Sequence, residues 1–156
     1  MIRIAKVLFP TDFSELSEGA LRYALHFAQE YGATLHVLHV VDEAFEYWMN
    51  MAPNTMPVGV APIEDIVKSA TAGLARFVAD RIDPAIETVQ QVLIGRPYVE
   101  IVTYAKNQGI DLIVIGTHGR GGLTHMLLGS VAEKVVRKAP CPVLTVHHPQ
   151  REFILP

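Results

Sequence analysis

The residues best suited to chemistry in this chain lie in one glycine-rich segment, residues 116–130. Four glycines fall within its first seven positions, and the segment ends in Gly129 and Ser130. Glycine adopts positive φ without steric cost and lets the backbone approach a ligand closely. Successive N–H groups in such a turn can form a concavity that binds anions. The alternative interpretation is a merely flexible connection.

The end of this segment favours phosphate as the anion. Gly129 and Ser130 come just before a pattern typical of a helix that ends in Lys134, Arg137 and Lys138. A helix N-terminus offers free N–H groups and the positive end of a dipole. The Ser130 hydroxyl can donate a further hydrogen bond to a phosphate oxygen.

Two common phosphate-binding motifs are absent from the sequence. The P-loop motif requires a Gly-Lys pair, and the chain contains none. The dinucleotide motif GxGxxG fails because Thr124 stands where its third glycine should be.

The elements that must position this segment alternate along the chain. Apolar runs predict strands at 4–9, 34–41, 88–94, 111–115 and 142–146, and helical spacing follows each of the first four. Asp12 or Ser14 can cap the first helix, whereas residues 43–61 show no period and are predicted to form a loop. This alternation predicts an α/β protein with a doubly wound parallel sheet and helices on both faces.

Ligands of such sheets bind at the carboxyl ends of strands, where strand order reverses. Two segments are candidates, residues 10–14 after the first strand and residues 116–130 after the fourth. The alternation alone leaves the strand order open.

Composition narrows the possible functions. A chain of 156 residues fits one domain, residues 1–156, and a net charge of −3 argues against nucleic acid as a partner. A single cysteine, Cys141, excludes an internal disulfide and a CxxC zinc site. No apolar run reaches the length of a membrane span, so we expect a cytoplasmic protein without membrane insertion.

The pattern Gly, two residues, Gly, nine residues, Gly-Ser occupies Gly116, Gly119, Gly129 and Ser130. In this pattern the chain resembles the universal stress protein family, in its ATP-binding branch. The resemblance extends to residues 6–14, 35–42, 95–97, 111–119, 129–135 and 139–144, so it covers nearly the whole chain except 43–61.

The resemblance implies a five-stranded sheet of order 3-2-1-4-5, with Asp12 and Gly116 at one crevice. It implies that Thr11 and Asp12 line the ribose and phosphate side, and that Val41 touches the adenine. It also implies a homodimer that pairs through the closing strand, Val143 to His147. The expected nucleotide contacts are Pro10, Thr11, Asp12, Val41, Gly116, Thr117, His118, Gly119, Arg120, Gly129, Ser130 and Val131.

Several of these residues have a second interpretation. Asp12 is either a ligand residue, which could help hold Mg²⁺ through the phosphates, or a helix cap. His118 and Arg120 either contact the nucleotide or are solvated loop residues, and residues 45–51 form either a lid or a cover for the sheet edge. His36 and His39 point to opposite faces of a strand and are predicted to be satisfied core histidines rather than a metal site.

The implied function is a nucleotide-binding regulator. Fast phosphoryl transfer usually needs a lysine at the phosphates, and residues 116–130 contain none. We therefore expect ATP, or ADP or AMP, to shift a dimer or lid population. A slow ATP hydrolase that uses Asp12 is the main alternative, and an interaction module without nucleotide is the third.

Overall fold

The computed structural model describes residues 2–42, 62–117 and 129–147. The strands in this part of the chain are β1 (Lys6–Pro10), β2 (Thr34–Asp42), β3 (Thr88–Gly95), β4 (Leu112–Gly116) and β5 (Val143–Val146). The helices are α1 (Glu15–Tyr31), α2 (Ile63–Arg81), α3 (Pro97–Gln108) and α4 (Ser130–Lys138). None of these helices has the length and hydrophobicity needed to span a lipid bilayer.

The strands form one parallel sheet in the order β3-β2-β1-β4-β5. β1 therefore lies at the centre, paired with β2 on one side and β4 on the other. The predicted fold class and strand order are confirmed. Strand order reverses between β1 and β4, which is where a doubly wound sheet places its ligand crevice.

The sheet is buried on both faces, which explains why its central strands are continuously apolar. Val7 and Phe9 of β1 pack into one cluster with residues of α1 and α2. Leu8, between them, packs into a second cluster with residues of α3 and α4. All three side chains are fully buried. The chain thus covers one face with its first two helices and the other face with its last two.

Helix ends follow the local signals in the sequence. Ser14 is the N-cap of α1, and its side chain accepts a hydrogen bond from Ser17 N–H. Gly32 and Gly109 end α1 and α3 in the left-handed conformation, with φ of 59° and 62°. Pro97 occupies the first turn of α3, as its fixed φ and missing N–H allow.

The strands differ from the predicted ranges by one or two residues at several ends, and Asp111 lies at two of these ends, the starts of β1 and β4. The first strand was predicted from Ile4 and the fourth from Asp111, whereas β1 begins at Lys6 and β4 at Leu112. The Asp111 carboxylate accepts hydrogen bonds from the N–H groups of Ala5 and Lys6, at 2.8 and 3.0 Å. The Asp111 side chain thus satisfies two backbone N–H groups at the start of β1.

We expect Gly109→Ala to lower the free energy of unfolding by about 1–2 kcal/mol, because a Cβ disfavours the left-handed conformation. Gly73→Ala, inside α2, should instead raise it by roughly 0.5–1 kcal/mol. An added Cβ meets nothing within 4 Å at either position, so the backbone alone separates the two variants. Urea unfolding of both variants measures the difference, and equal effects would contradict the backbone argument.

Candidate functional site

The candidate site is the crevice between the turn that follows β1 and the connection that follows β4. β1 leads to α1 on one face of the sheet, whereas β4 leads to α4 on the other face. The β1–β4 register pairs Val7 with Leu112 and Leu8 with Ile113, so the carboxyl ends of these two parallel strands lie at the same edge of the sheet. The turn after β1 and the described start of the segment 116–130 therefore lie at that edge.

Thr11 begins the turn after β1, and its groups are engaged within the protein. Its N–H donates to the Leu38 carbonyl at 2.9 Å. Its hydroxyl accepts from Phe13 N–H at 3.0 Å and lies 3.1 Å from the Ser17 hydroxyl. The side chain is buried, so Thr11 shapes the turn from inside the protein.

Asp12 follows and supports the start of α1. Its Oδ1 accepts hydrogen bonds from both the N–H and the hydroxyl of Ser14, while Ser14 itself caps the helix. The two capping alternatives thus resolve into one arrangement, with Ser14 as the cap and Asp12 behind it. A carboxylate at a helix N-terminus is stabilised by the helix dipole.

Thr117 joins the ends of the glycine-rich segment to the sheet. Its N–H donates to the Val146 carbonyl at 3.0 Å, and its carbonyl accepts from the Gly129 N–H. Its hydroxyl lies 3.1 Å from His147 Nδ1. The side chain is only 1% exposed, so the residue that bonds to Gly129, at the other end of the segment, is itself buried in the fold.

The N-terminus of α4 is the part of the crevice best suited to an anion. Gly129 is its N-cap, with φ of −63°, and no side chain caps the helix there. The Gly129 N–H has an acceptor in Thr117, but Ser130 and Val131 lie in the first turn, where N–H groups lack intrahelical acceptors. Ser130 is exposed, so its hydroxyl is accessible from solvent.

Val41 lies at the same edge of the sheet as the crevice. β2 continues past Leu38, the residue paired with Pro10, and Val41 pairs instead with Ile94 of β3. Val41 is 5% exposed. It shares a strand face with His39, since alternate residues point to the same side.

The described residues place the Asp12 carboxylate in the turn after β1 but form no cluster of metal ligands. No three His, Cys, Asp or Glu side chains cluster there within 2–42, 62–117 and 129–147. Mg²⁺ is commonly held by one or two carboxylates together with phosphate oxygens, so Asp12 fits such an ion only alongside a phosphate ligand. His118, Gly119, Arg120 and the segment 45–51 lie outside the described residues.

His36 and His39 point to opposite faces of β2, as predicted. His39 Nδ1 donates to the Thr11 carbonyl at 2.9 Å, so it contacts the turn beside Asp12. His36 Nδ1 lies 2.9 Å from the Tyr104 hydroxyl, but His36 Nε2 has no hydrogen-bond partner among the described residues. The prediction of satisfied histidines is therefore wrong for His36, because only one of its ring nitrogens reaches a polar group.

The role of His39 could not be found from the sequence. The turn that it contacts contains Phe13 at φ 63°, a conformation that L-residues other than Asn and Asp rarely adopt. Phenylalanine is not a typical turn residue, so the sequence does not indicate the positive φ at position 13. Burial, with the Asp111 carboxylate nearby, raises the pKa of the Cys141 thiol.

The fold and the crevice together define a doubly wound α/β protein with a glycine-capped helix at its switch point. The chain belongs to the universal stress protein family, whose family model matches residues 3–147.

Its relatives match along most of their length. The universal stress protein MJ0577 of Methanocaldococcus jannaschii is 33% identical over 153 residues, which cover 90% of this chain and 93% of that protein. YxiE of Bacillus subtilis is 36% identical over 145 residues, covering 90% and 97%.

Solved structures agree with this assignment. The structure of MJ0577 superimposes with a TM-score of 0.81 at 29% identity, over 96% of this chain and 100% of that one. A universal stress protein solved in complex with cAMP has a TM-score of 0.58 at 25% identity, over 93% and 98%.

Burial lowers the pKa of His36 below its ordinary value of 6.5, and nearby Lys6 lowers it further. The unfolded chain therefore takes up this proton at higher pH than the folded protein does. The stability that neutral His36 contributes is complete above pH 6.5 and is lost as pH falls from there through the lower folded pKa.

We expect the difference in free energy of unfolding between the native protein and His36→Asn to shrink below pH 6.5. Urea unfolding at several pH values measures it, with His26→Asn at an exposed position of α1 as the control. A difference that does not change with pH would contradict the assignment.

Proposed function

We propose that this protein binds an adenine nucleotide, ATP in the first instance, in the crevice between β1 and β4 and acts as a nucleotide-dependent regulator. The observation that carries the proposal is the glycine-capped N-terminus of α4 at the switch point of the sheet. The family relationship supports it, since one related structure was solved in complex with cAMP.

In this proposal the phosphates bind at the start of α4. The N–H groups of Ser130 and Val131 and the Ser130 hydroxyl donate to phosphate oxygens, favoured by the helix dipole. Gly116, Gly119 and Gly129 lack side chains, so the backbone can approach the ligand closely. His118 and Arg120 belong to the same segment and flank the ligand.

The other side of the crevice supplies Asp12, at the turn after β1. Its carboxylate would help to hold Mg²⁺ together with the phosphates. Pro10, Thr11 and Thr117 shape the surrounding backbone. Val41, at the carboxyl end of β2, contacts the adenine. The position of these residues at one edge of the sheet supports this assignment.

A regulatory role fits the chemistry of the segment better than rapid catalysis. Residues 116–130 contain no lysine to neutralise charge on a transferred phosphoryl group. Bound nucleotide would instead favour one conformation or one homodimer state. Strand β5 lies at an edge of the described sheet, and an edge strand can pair with a second copy of the chain through Val143 to His147.

Slow ATP hydrolysis is the second candidate, and the position of Asp12 favours it. A carboxylate beside the phosphates is the group that would hold the metal. Asp12→Asn keeps an oxygen to accept from Ser14 and removes only the charge.

We expect Ser130→Ala to weaken ATP binding about tenfold, because hydrogen bonds to charged groups contribute roughly 1.5–3 kcal/mol. Ser130 is in the first helical turn rather than at the N-cap, so the melting temperature of the Ser130→Ala variant should be close to that of the native protein. Isothermal titration calorimetry measures the affinity, with Ser69→Ala on the exposed surface of α2 as the matched control. Equal affinities for the two variants would place the phosphates elsewhere.

We expect Asp12→Asn to remove most of the gain in ATP affinity that Mg²⁺ provides, while the melting temperature stays close to that of the native protein. Titrations with Mg²⁺ and with EDTA measure this gain. Asp12→Ala also removes the acceptor for Ser14 and should lower the free energy of unfolding by about 1 kcal/mol. An unchanged Mg²⁺ effect in Asp12→Asn would contradict the metal role.

Release of inorganic phosphate from ATP separates the two candidate functions. If the protein is a regulator, we expect it to bind ATP without sustained release of phosphate. Turnover that is lost in Asp12→Asn would favour the slow hydrolase, whereas a protein that binds no adenine nucleotide would be an interaction module.

A further inference from the structure

The turn that carries Asp12 is strained. Phe13 has φ of 63°, and it is the only non-glycine residue with positive φ in the described part of the chain. A side chain in this conformation costs on the order of 1–3 kcal/mol, so surrounding contacts must hold it. Such strain is often found at binding sites.

His39 contacts this turn on both sides of Asp12. Before Asp12, its Nδ1 lies 2.9 Å from the Thr11 carbonyl oxygen. A carbonyl only accepts hydrogen bonds, so Nδ1 carries the proton and donates. After Asp12, the His39 ring stacks on Phe13 with centroids 4.3 Å apart and planes 28° apart.

The ring of Phe13 is also held from α2. Phe77 packs against it at a centroid distance of 5.8 Å, so the Phe13 ring contacts both β2 and α2. The Phe13 N–H also donates a hydrogen bond to the Thr11 hydroxyl within the turn. These contacts compensate the strain, and His39 is the residue that contacts both the backbone and the ring.

We infer that His39 is a positioning residue for the nucleotide site, acting through the turn 11–14 to hold the Asp12 carboxylate toward the phosphates. This inference rests on the proposed function. It differs from a general stabilising role because His36, three residues earlier, is equally part of the core but contacts Tyr104 on the opposite face. Displacement of the turn would move the Asp12 carboxylate, whereas loss of the His36 contact would not.

Two substitutions separate the two contacts of His39. His39→Asn places an amide N–H near the former Nδ1 and removes the ring, whereas His39→Phe keeps a ring and removes the donor. His36→Asn is the matched control, since it changes the same residue type in the same strand. We expect both His39 variants to weaken ATP binding about tenfold, the equivalent of about 1.4 kcal/mol, and His36→Asn to change it less than about twofold. A change of equal size in His36→Asn would overturn the inference.

A double-mutant cycle with Asp12→Asn tests whether His39 acts through Asp12. If it does, His39→Phe loses most of its effect on ATP affinity when Asp12→Asn is already present. An effect of the same size in both backgrounds would overturn the positioning role and leave the proposed function intact. Absence of ATP binding by the native protein would overturn both. Should His39→Phe fail to fold, the same cycle with His39→Asn decides.

Discussion

The hydrogen bonds on both sides of β1 are the constraint on which the crevice depends. β1 pairs with β2 and β4 and is buried on both faces, so it cannot shift without breaking two ladders and two apolar clusters. The turn after β1 is held in place because it follows directly from this strand. The N-terminus of α4 is fixed in turn, because Thr117, at the end of β4, accepts from Gly129. The two sides of the site are thus tied to neighbouring strands of one sheet.

The turn after β1 is built from side chains whose roles differ from those their types suggest. Thr11 and Ser14 use their hydroxyl groups within the protein, and Asp12 accepts from Ser14 at the helix start. A carboxylate engaged in this way has little freedom to rotate, so its charge is held in one place before any ligand arrives. Preorganisation of this kind lowers the cost of ordering on binding.

Much of the fold could be predicted from the sequence because its signals are local. Continuous apolar runs predicted the buried strands, and Ser14 was one of the two residues predicted to cap the first helix. Strand order has no signal within any single segment, so it was predicted from the resemblance to a family. The structure confirms the predicted strand order, and the family model matches the chain.

The details of the site depended on contacts between distant residues. The Asp111 carboxylate accepts hydrogen bonds from the backbone of Ala5 and Lys6, more than 100 positions away, and no local pattern indicates these bonds. His39 reaches the turn at Thr11, and no pattern within either segment indicates that contact. Phe13 has positive φ, and its ring packs against His39 and Phe77 from distant parts of the chain. Such features depend on packing between distant residues, and residue propensities and motif spacing carry no information about that packing.

Thr117 connects the proposed nucleotide site to the rest of the molecule. Through its N–H and hydroxyl it contacts the end of β5, at Val146 and His147, and its carbonyl holds the start of α4. A ligand that draws the first turn of α4 toward itself therefore acts on the same residue that anchors the edge strand. Because Thr117 is almost completely buried, it has little room to move without its partners. A regulator needs such a connection between its ligand and its surface, whereas a hydrolase does not, and this connection is a structural reason to favour the regulatory role.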